Sequence, residues 1–315
     1  MTDDPAQHQT PSNRARPGSG ADEKPAGRPH PAGKRTDPKH RDRKHRDQER
    51  PGHARAGRHP AAKAGPSADP AAEATVFGLH SAAYALANPA RRITRIFATE
   101  NAQRRLAEAL APHTERIETT RPRDLDRRLG PDTVHQGVLL EVEPLATEDL
   151  AATARRAHDT GFPVLLLDQV TDPHNVGAVL RSAAVFGAAG LVMTQRHSPP
   201  LGGALAKAAS GALELTPIAL VRNLAEAIAE LKAEGLAVLG LDGTGDVILD
   251  EAVAALAGRP LALALGAEGS GLRALTRERC DRLCRIGGDG PISSLNVSNA
   301  AAVALHVAAA QRRAT

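Results

Sequence analysis

Residues 164–167 read Val-Leu-Leu-Leu, an uninterrupted apolar run in a chain of 315 residues. This pattern is typical of a strand that is buried on both faces of a parallel sheet. Similar apolar runs recur at residues 190–193, 237–240 and 261–265. Helical patterns alternate with these runs, at residues 176–186, 205–213, 224–234 and 296–312. The alternation predicts an α/β domain with a parallel sheet between helices, whose ligands lie at the carboxyl ends of the strands.

A smaller α/β unit is predicted ahead of this domain. Its strand patterns lie at residues 93–98, 117–119 and 137–142, and its helical patterns at 101–110 and 123–129. A polar stretch that begins with Glu-Pro then marks the boundary between the two units. We therefore expect a small domain at residues 76–145 and a larger domain at residues 158–315.

The first 75 residues differ in composition from the rest. Between Thr2 and Thr75 there is no Val, Leu, Ile, Phe, Tyr or Trp, so this stretch cannot offset its ordering entropy by burying apolar surface. Residues 1–70 hold 15 Lys and Arg against 9 Asp and Glu, and the remainder is slightly acidic. We predict a disordered basic tail. Its densest run, residues 39–46, either attracts phosphate groups or acts as a solubilising extension.

Several classes of protein do not fit the sequence. The tail has no apolar centre of the kind found in secretory signals, and no stretch is long enough to span a membrane. The two cysteines, Cys280 and Cys284, are too few for a disulfide framework and lack His or Cys neighbours at zinc spacing. The sequence therefore predicts a cytoplasmic protein that requires no metal.

Three segments with candidate chemistry follow apolar strands. The first, residues 172–183, contains Asn175 and Arg181. Asn175 could cap the helix that begins there or face a ligand, and Arg181 could be a solvated helical residue or a functional cation. The second, residues 266–272, is rich in glycine and contains Glu268, which could serve the turn or act as an acceptor in the cleft.

The third segment, residues 286–298, leads into the last helical pattern. Ser293 and Ser294 can cap that helix, which would account for both. Asn296 is harder to explain structurally, because it is polar at the start of an otherwise apolar, alanine-rich helix.

Together these segments resemble the SpoU family of RNA ribose methyltransferases, part of the knotted SPOUT superfamily. The family's three motifs read approximately N-x-G-A-x-x-R-x-A, G-x-E-x-x-G-L and S-L-N-V-S. All three occur here in order, at residues 175–183, 266–272 and 294–298. The resemblance extends to residues 134–138 and 207–214, so it covers the chain from about Phe77 to the C-terminus.

The resemblance implies S-adenosyl-L-methionine as cofactor, RNA as substrate, a trefoil knot in the catalytic domain and a homodimer with its sites at the interface. It implies that Gly266, Ile286 and Leu295 contact the cofactor. Members that methylate a guanosine of 23S ribosomal RNA are the most similar. One departure is that Gly287 and Gly288 stand where the family usually has Pro-Met. Because the cofactor contacts there are largely to backbone, we expect binding to be retained.

By the same resemblance Arg181 is the catalytic residue. Since a guanidinium stays protonated, we expect it to act as a positioned cation that fixes the adjacent phosphate and lowers the pKa of the ribose hydroxyl. Asn175, Glu268, Ser294 and Asn296 would orient Arg181 and the ribose.

Aromatic residues make up only 2% of the chain, so RNA recognition should rest on basic side chains rather than on base stacking. Candidates in the small domain are Arg91, Arg92 and Arg95, unless this charge run is simply a solvated face.

Three other functions were considered for this sequence. The same chemistry could act on a transfer RNA or on an adenosine of ribosomal RNA. A non-catalytic RNA-binding or ribosome-assembly factor could keep the fold, but the intact Arg181, Glu268 and Asn296 argue against it. A nucleotide-dependent dehydrogenase does not fit, because no glycine fingerprint for phosphate binding follows the first strand.

Overall fold

The structure is a computed structural model that describes residues 74–256, 258–288, 290 and 294–314. The predicted tail, apart from its last two residues, lies outside this part of the chain, and so does Ser293. The described residues form a small four-stranded sheet and a larger seven-stranded sheet, each with its own helices. Among these residues, no helix has the length and apolar character needed to cross a membrane.

The small domain is a mixed sheet with the strand order β1-β4-β2-β3, in which only the β2–β3 pair is parallel. Its elements are β1 (Thr75–Phe77), α1 (Leu79–Ala87), β2 (Ile93–Ala98), α2 (Glu100–Arg105), α3 (Ala107–Leu110), a 3₁₀ helix (Ala111–Arg116), β3 (Ile117–Thr119), α4 (Pro122–Leu129) and β4 (Val138–Val142). The helix predicted over residues 101–110 is broken at Leu106, whose φ of −110° and ψ of 16° are not helical. Sequence patterns did not predict β1 or α1.

The larger domain contains a fully parallel sheet with the strand order β7-β6-β5-β10-β8-β11-β9. Its elements are α5 (Leu150–Thr160), β5 (Val164–Asp168), α6 (Pro173–Phe186), β6 (Gly190–Thr194), α7 (Gly203–Ala209), a 3₁₀ turn (Ala212–Glu214), β7 (Ile218–Val221), α8 (Leu224–Ala233), β8 (Ala237–Leu241), β9 (Val247–Ile248), α9 (Leu249–Ala254), β10 (Leu261–Gly266), α10 (Ala274–Arg279), β11 (Arg282–Arg285) and α11 (Val297–Ala314). The predicted parallel α/β domain is confirmed.

The apolar run at residues 164–167 forms the central strand β5. Its residues alternate between two cores: Leu165 and Leu167 pack with α6 and α11, whereas Val164 and Leu166 pack with α5 and α8. This alternation follows from the twofold repeat of a strand. Both faces are covered by helices, as the uninterrupted run predicts.

Helix α5 begins before the predicted start of the larger domain at residue 158, yet it belongs to the core of that domain. Ala154 and Ala157 are fully buried against Val164 and Ile228. Asp149 caps the helix by accepting a hydrogen bond from Ala152 N at 2.6 Å. The packed domain therefore begins before residue 158, and the helix escaped notice because its buried residues are small.

Candidate active site

A cleft of about 870 Å³ opens at the carboxyl ends of β8, β10 and β11. Its walls come from the loop after each of these strands and from the start of α11. Loops at the carboxyl ends of parallel strands are the usual place for a ligand in an open α/β sheet. The volume lies in the range of small-molecule sites, which is about 300–1,000 Å³.

The loop after β10 is tightly folded, and Gly266 is required for it. A Cβ at this position would lie 2.0 Å from the carbonyl carbon of Gly271 and 2.2 Å from the nitrogen of Leu272. Gly271 itself has a φ of +65°, which glycine adopts without strain. These glycines therefore allow the two ends of the loop, at Gly266 and Gly271, to approach each other closely.

Asp168 anchors the exit of the same loop to the end of β5. The carboxylate is fully buried and accepts hydrogen bonds from the backbone nitrogen of Arg273 at 3.0 Å and from its Nε at 2.6 Å. Sequence analysis missed this residue. The signal that could have found it is a carboxylate directly after a buried apolar strand.

The three residues expected to contact a cofactor, Gly266, Ile286 and Leu295, all line the cleft. Leu295 is 52% exposed, so it presents an apolar surface there without a covering side chain. There is free space beside Gly287 and Gly288 in the wall of the cleft. A Cβ built on Gly287 would lie 3.7 Å from its nearest neighbouring atom, and a Cβ on Gly288 would have no atom within 4 Å. The departure from the family pattern therefore does not obstruct the cleft.

Asn175, Glu268 and Asn296 form one hydrogen-bonded cluster. Asn175 Nδ2 donates to Glu268 Oε1 at 3.0 Å, and Asn296 Nδ2 donates to Asn175 Oδ1 at 3.0 Å and also to Glu268 Oε1. These residues come from α6, from the loop after β10 and from the residue before α11. Three separate motifs thus meet at one carboxylate.

The helix caps differ from those considered from the sequence. Asp172 caps α6 by accepting from His174 N at 2.8 Å, so Asn175 lies in the first turn and its side chain is free to bind Glu268. Asn296 caps α11 by accepting from Ser298 N at 2.9 Å. Ser294 lines the cleft and makes no hydrogen bond within the described residues. The capping roles considered for Asn175 and Ser294 are therefore corrected.

Arg181 is exposed on α6 and has no ion-pair or hydrogen-bond partner among the described residues. It follows Asn175 by six residues, which places it about 9 Å further along the helix and about 120° around it. It does not line the cleft. Within one chain, then, the structure does not bring Arg181 into the Asn175–Glu268–Asn296 cluster.

The cleft also contains an ion pair that the sequence did not predict. Arg277 Nη1 donates to Asp242 Oδ2 at 2.5 Å, and Asp242 Oδ1 accepts from the backbone and the hydroxyl of Thr244. Burial alone would raise the pKa of Asp242. The Thr244 hydrogen bonds and the Arg277 guanidinium outweigh burial and hold that pKa below its ordinary value.

The basic residues proposed for RNA binding fall into different environments. Arg91 is buried and pairs with Glu214 at 2.6 Å, so the RNA-binding role expected for it is not supported. Arg92 has a 79% exposed side chain and lies 3.5 Å from Glu143. Arg95 is half exposed and pairs with Glu118 at 2.7 Å. Neighbouring arginines in the sequence thus serve different purposes, which charge patterning cannot distinguish.

Comparison with known proteins places this geometry in a family. Residues 163–306 match the SpoU rRNA methylase family, and residues 75–148 match the RNA 2′-O ribose methyltransferase substrate-binding domain. The 23S rRNA (guanosine-2′-O-)-methyltransferase RlmB of Shewanella oneidensis is 38% identical over 76% of this chain and 97% of its own length. An uncharacterized tRNA/rRNA methyltransferase of Mycolicibacterium gilvum is also 38% identical, over 68% of each chain.

A solved structure is similar over the same region. It is that of the SpoU methyltransferase AviRb from Streptomyces viridochromogenes in complex with AdoMet, which superimposes with a TM-score of 0.64 and 25% identity. The likeness covers 76% of this chain and 90% of AviRb. With Asn175, Glu268 and Asn296 of the three motif segments joined beside one cleft and relatives that match along most of their length, the chain belongs to the SpoU rRNA methylase family.

Proposed function

We propose that the protein transfers the methyl group of S-adenosylmethionine to the 2′-hydroxyl of a guanosine in 23S ribosomal RNA. The observation that carries the proposal is the cluster in which Asn175, Glu268 and Asn296 converge beside the cleft. The substrate is inferred from the Shewanella methyltransferase, which this chain matches over 97% of that protein's length.

The cleft fits the cofactor in size and in chemistry. Ile286 and Leu295 offer apolar side chains for a flat heterocycle, and Gly287 and Gly288 leave their backbone open to hydrogen bonding. When bound, S-adenosylmethionine supplies an electrophilic methyl group on a sulfonium. Gly266, Ile286 and Leu295 would hold it; the use of this cofactor is supported by AviRb, which was solved in complex with AdoMet.

Glu268 is the proposed centre of ribose positioning. Its Oε1 already accepts two amide hydrogens, so Asn175 and Asn296 hold the carboxylate in place. The other oxygen, Oε2, has no donor among the described residues and can accept a hydrogen bond from the incoming nucleotide. Ser294, at the edge of the same cleft, can contribute its hydroxyl.

Arg181 is the proposed catalytic residue. As a permanent cation it would bind the phosphate next to the target ribose and stabilise negative charge that develops on the 2′-oxygen. When the 2′-oxygen bonds to the methyl carbon, the carbon–sulfur bond breaks and the hydroxyl proton passes to water, because the guanidinium is already protonated and has no acceptor site.

A homodimer with sites at its interface belongs to the same proposal. Val185 lies one turn after Arg181, on the same face of α6, and is 76% exposed. A partner subunit that covers this apolar side chain would place its own surface beside Arg181. We also propose a trefoil knot in the larger domain. A reducing cytoplasmic location is proposed as well, because it suits the free cysteines Cys280 and Cys284.

Arg92 and Arg95 remain the proposed RNA contacts of the small domain. Arg92 has a 79% exposed side chain with only a 3.5 Å pairing to Glu143, and Arg95 stays half exposed although it pairs with Glu118, so solvent-facing guanidinium groups are available for phosphate.

The test uses purified protein, S-adenosylmethionine with a trideuterated methyl group, and an unmodified 23S ribosomal RNA transcript. The RNA is digested to nucleosides, which are separated by chromatography and identified by mass spectrometry. We expect one trideuteromethyl 2′-O-methylguanosine with the wild type and none with Arg181→Ala. A label found only on an adenosine would identify an adenosine of ribosomal RNA as the substrate. A label found only when transfer RNA is supplied would identify transfer RNA as the substrate. No label on any RNA would overturn the proposed function.

A further inference from the structure

Two sequence segments that resemble the family take no part in the cleft. They are residues 134–138, in the small domain, and residues 207–214, in the larger one. In the structure they meet: Lys207 Nζ donates to Gln136 Oε1 at 2.7 Å, and the same oxygen accepts from Leu79 N at the start of α1 at 3.1 Å. We propose that these segments and their buried partners form a fixed junction that positions the small domain, and the RNA it holds, relative to Arg181.

The junction rests on the proposed function, because it assigns positioning roles for that reaction. Its residues do not touch the reacting atoms, and they would act through the orientation of the bound RNA.

Gln136 is held in a defined conformation by its neighbours. It has a φ of +55°, unusual for a residue with a side chain. His135, which is buried, accepts from Gly137 N at 3.0 Å through Nδ1. Since Nδ1 accepts, Nε2 carries the proton and donates to Asp126 Oδ1 at 3.1 Å. The His135 ring therefore fixes the loop from which Gln136 reaches Lys207.

Arg91 and Glu214 form a buried ion pair across the same junction. Their side chains are only 1% and 2% exposed, and Arg91 donates to both carboxylate oxygens through Nε and Nη2. Asn88 Nδ2 adds a hydrogen bond to Glu214 Oε2 at 2.8 Å. A buried ion pair requires good geometry to offset desolvation, and it tolerates displacement poorly. This contact therefore favours one orientation of the two domains.

Helix α1 of the small domain also lies directly on the segment that contains Lys207. Ser81 Oγ donates to the carbonyl of Ala206 at 2.8 Å. A Cβ at Gly211 would lie 2.1 Å from the Tyr84 ring, so the ring rests against bare backbone. Gly211 has a φ of +98°, and any other residue there would meet both strain and the ring.

Helix α7, which carries Lys207, in turn packs against α6, the helix that carries Asn175 and Arg181. A Cβ on Gly177 would lie 2.5 Å from the Cβ of Ala208, so α7 packs directly against α6. Gly177 stands between Asn175 and Arg181 in the sequence of α6. A displacement of the small domain would therefore reach the helix of Arg181 through packed backbone, which does not deform continuously.

The test compares four variants with the wild type. Gln136→Ala and Lys207→Met remove the hydrogen bond between the two segments and leave the buried ion pair intact. Lys232→Met is the matched control, because Lys232 makes a 2.7 Å ion pair with Asp281 within the larger domain. Lys207→Arg, which keeps a cationic donor, is the rescue. The measurements are single-turnover methylation of 23S ribosomal RNA at saturating RNA, and the Kd values for RNA and for S-adenosylmethionine.

We expect both junction variants to lose about tenfold or more in single-turnover rate, because small misplacements of a reactant are costly in rate. Both Kd values should stay within about twofold of the wild type, the scale of a few tenths of a kcal/mol. Lys207→Arg should recover most of the rate, and Lys232→Met should match the wild type. Wild-type rates in both junction variants would overturn the proposal, as would a loss explained entirely by weaker RNA binding.

A second measurement tests the junction independently of methyl transfer. Proteinase K cleavage within residues 143–149, located by mass spectrometry, should be faster in both junction variants than in the wild type or in Lys232→Met. Equal cleavage in all four proteins would overturn the junction. A wild type that methylates no RNA would instead overturn the proposed function, while this comparison still decides whether the junction is fixed.

Discussion

Asn175 donates a 3.0 Å hydrogen bond from its side-chain amide to Oε1 of Glu268, although 93 residues separate them in the chain. The bond ties the first turn of α6 to the glycine-rich loop after β10. Asn296, held by the start of α11, completes the cluster. A carboxylate placed this way at the edge of the cleft is organised before any ligand arrives, which is how a protein positions a reactant at low cost.

The Glu268 carboxylate should contribute to the rate more than to cofactor binding. Glu268→Gln can keep one carbonyl oxygen as the acceptor of both amide hydrogens, but it replaces the free Oε2 with an NH₂ donor and removes the negative charge. We expect a loss of about 100-fold in methyl transfer, on the scale of removing one positioned polar group. Single-turnover rates and S-adenosylmethionine titrations would measure the two effects. Glu278→Gln, at an exposed position on α10, is the control, and equal rates in the two variants would exclude a positioning role for Glu268.

Arg181 should not be replaceable by lysine. Arg181→Lys keeps the charge but loses the planar guanidinium that binds phosphate with two parallel hydrogen bonds. We expect the variant to retain its fold and lose most of its methyl-transfer rate. Arg155→Lys, at an exposed position on α5, is the matched control, because α5 contributes nothing to the cleft. Near-wild-type activity of Arg181→Lys would contradict the role of a positioned guanidinium.

The motifs could be located from the sequence, but their partners could not. Asp172 and Asn175 are both good capping residues three positions apart, and only the start of α6 decides which of them caps and which binds Glu268. In the same way, Arg91 and Arg92 are adjacent and identical in type, yet one is buried against Glu214 and the other is exposed. These outcomes depend on tertiary contacts from more than 90 residues away.

The central strands were predictable because they are long and apolar on both faces. β11, which reads Arg-Leu-Cys-Arg over Arg282–Arg285, was missed because its ends are charged and it is short. It becomes a strand by pairing with β8 and β9 in the sheet. Local propensity is a weak guide for such strands, because tertiary pairing decides their structure.

Gly266 should be required for the shape of the cleft. Gly266→Ala places a methyl group 2.0 Å from the backbone of Gly271, so the loop must shift. We expect a lower free energy of unfolding, by about 1–3 kcal/mol, and weaker S-adenosylmethionine binding. Gly288→Ala adds the same methyl group to the same cleft with no atom within 4 Å, so its free energy of unfolding should change by less than about 0.5 kcal/mol. Denaturant titrations compare the two, and similar losses would refute the steric argument.

Cys280 should make stability depend on pH in the alkaline range. Burial raises the pKa of the Cys280 thiol to about 12, above the value of about 8.5 expected in the unfolded chain. Between these values the unfolded chain releases a proton that the folded chain retains. The free energy of unfolding is therefore unaffected below the lower value and falls above it, by at most about 1.4 kcal/mol per pH unit from this group.

Cys280→Ala should remove this part of the dependence. The measurement is the free energy of unfolding from pH 7 to pH 10 for both proteins, with the difference between them taken at each pH. A difference that stays constant across this range would show that the thiol is not protected by burial.

The proposed function requires Arg181 and the cluster around Glu268 for methylation of a ribose in 23S ribosomal RNA. The most direct measurement is mass-spectrometric mapping of 2′-O-methylated nucleosides in ribosomal and transfer RNA from a strain that lacks this gene. We expect one 2′-O-methylguanosine to disappear from the 23S ribosomal RNA and to return with the wild-type gene but not with Arg181→Ala. Full restoration by Arg181→Ala, or an unchanged set of 2′-O-methylguanosines in a strain shown to have no second enzyme for the site, would contradict it.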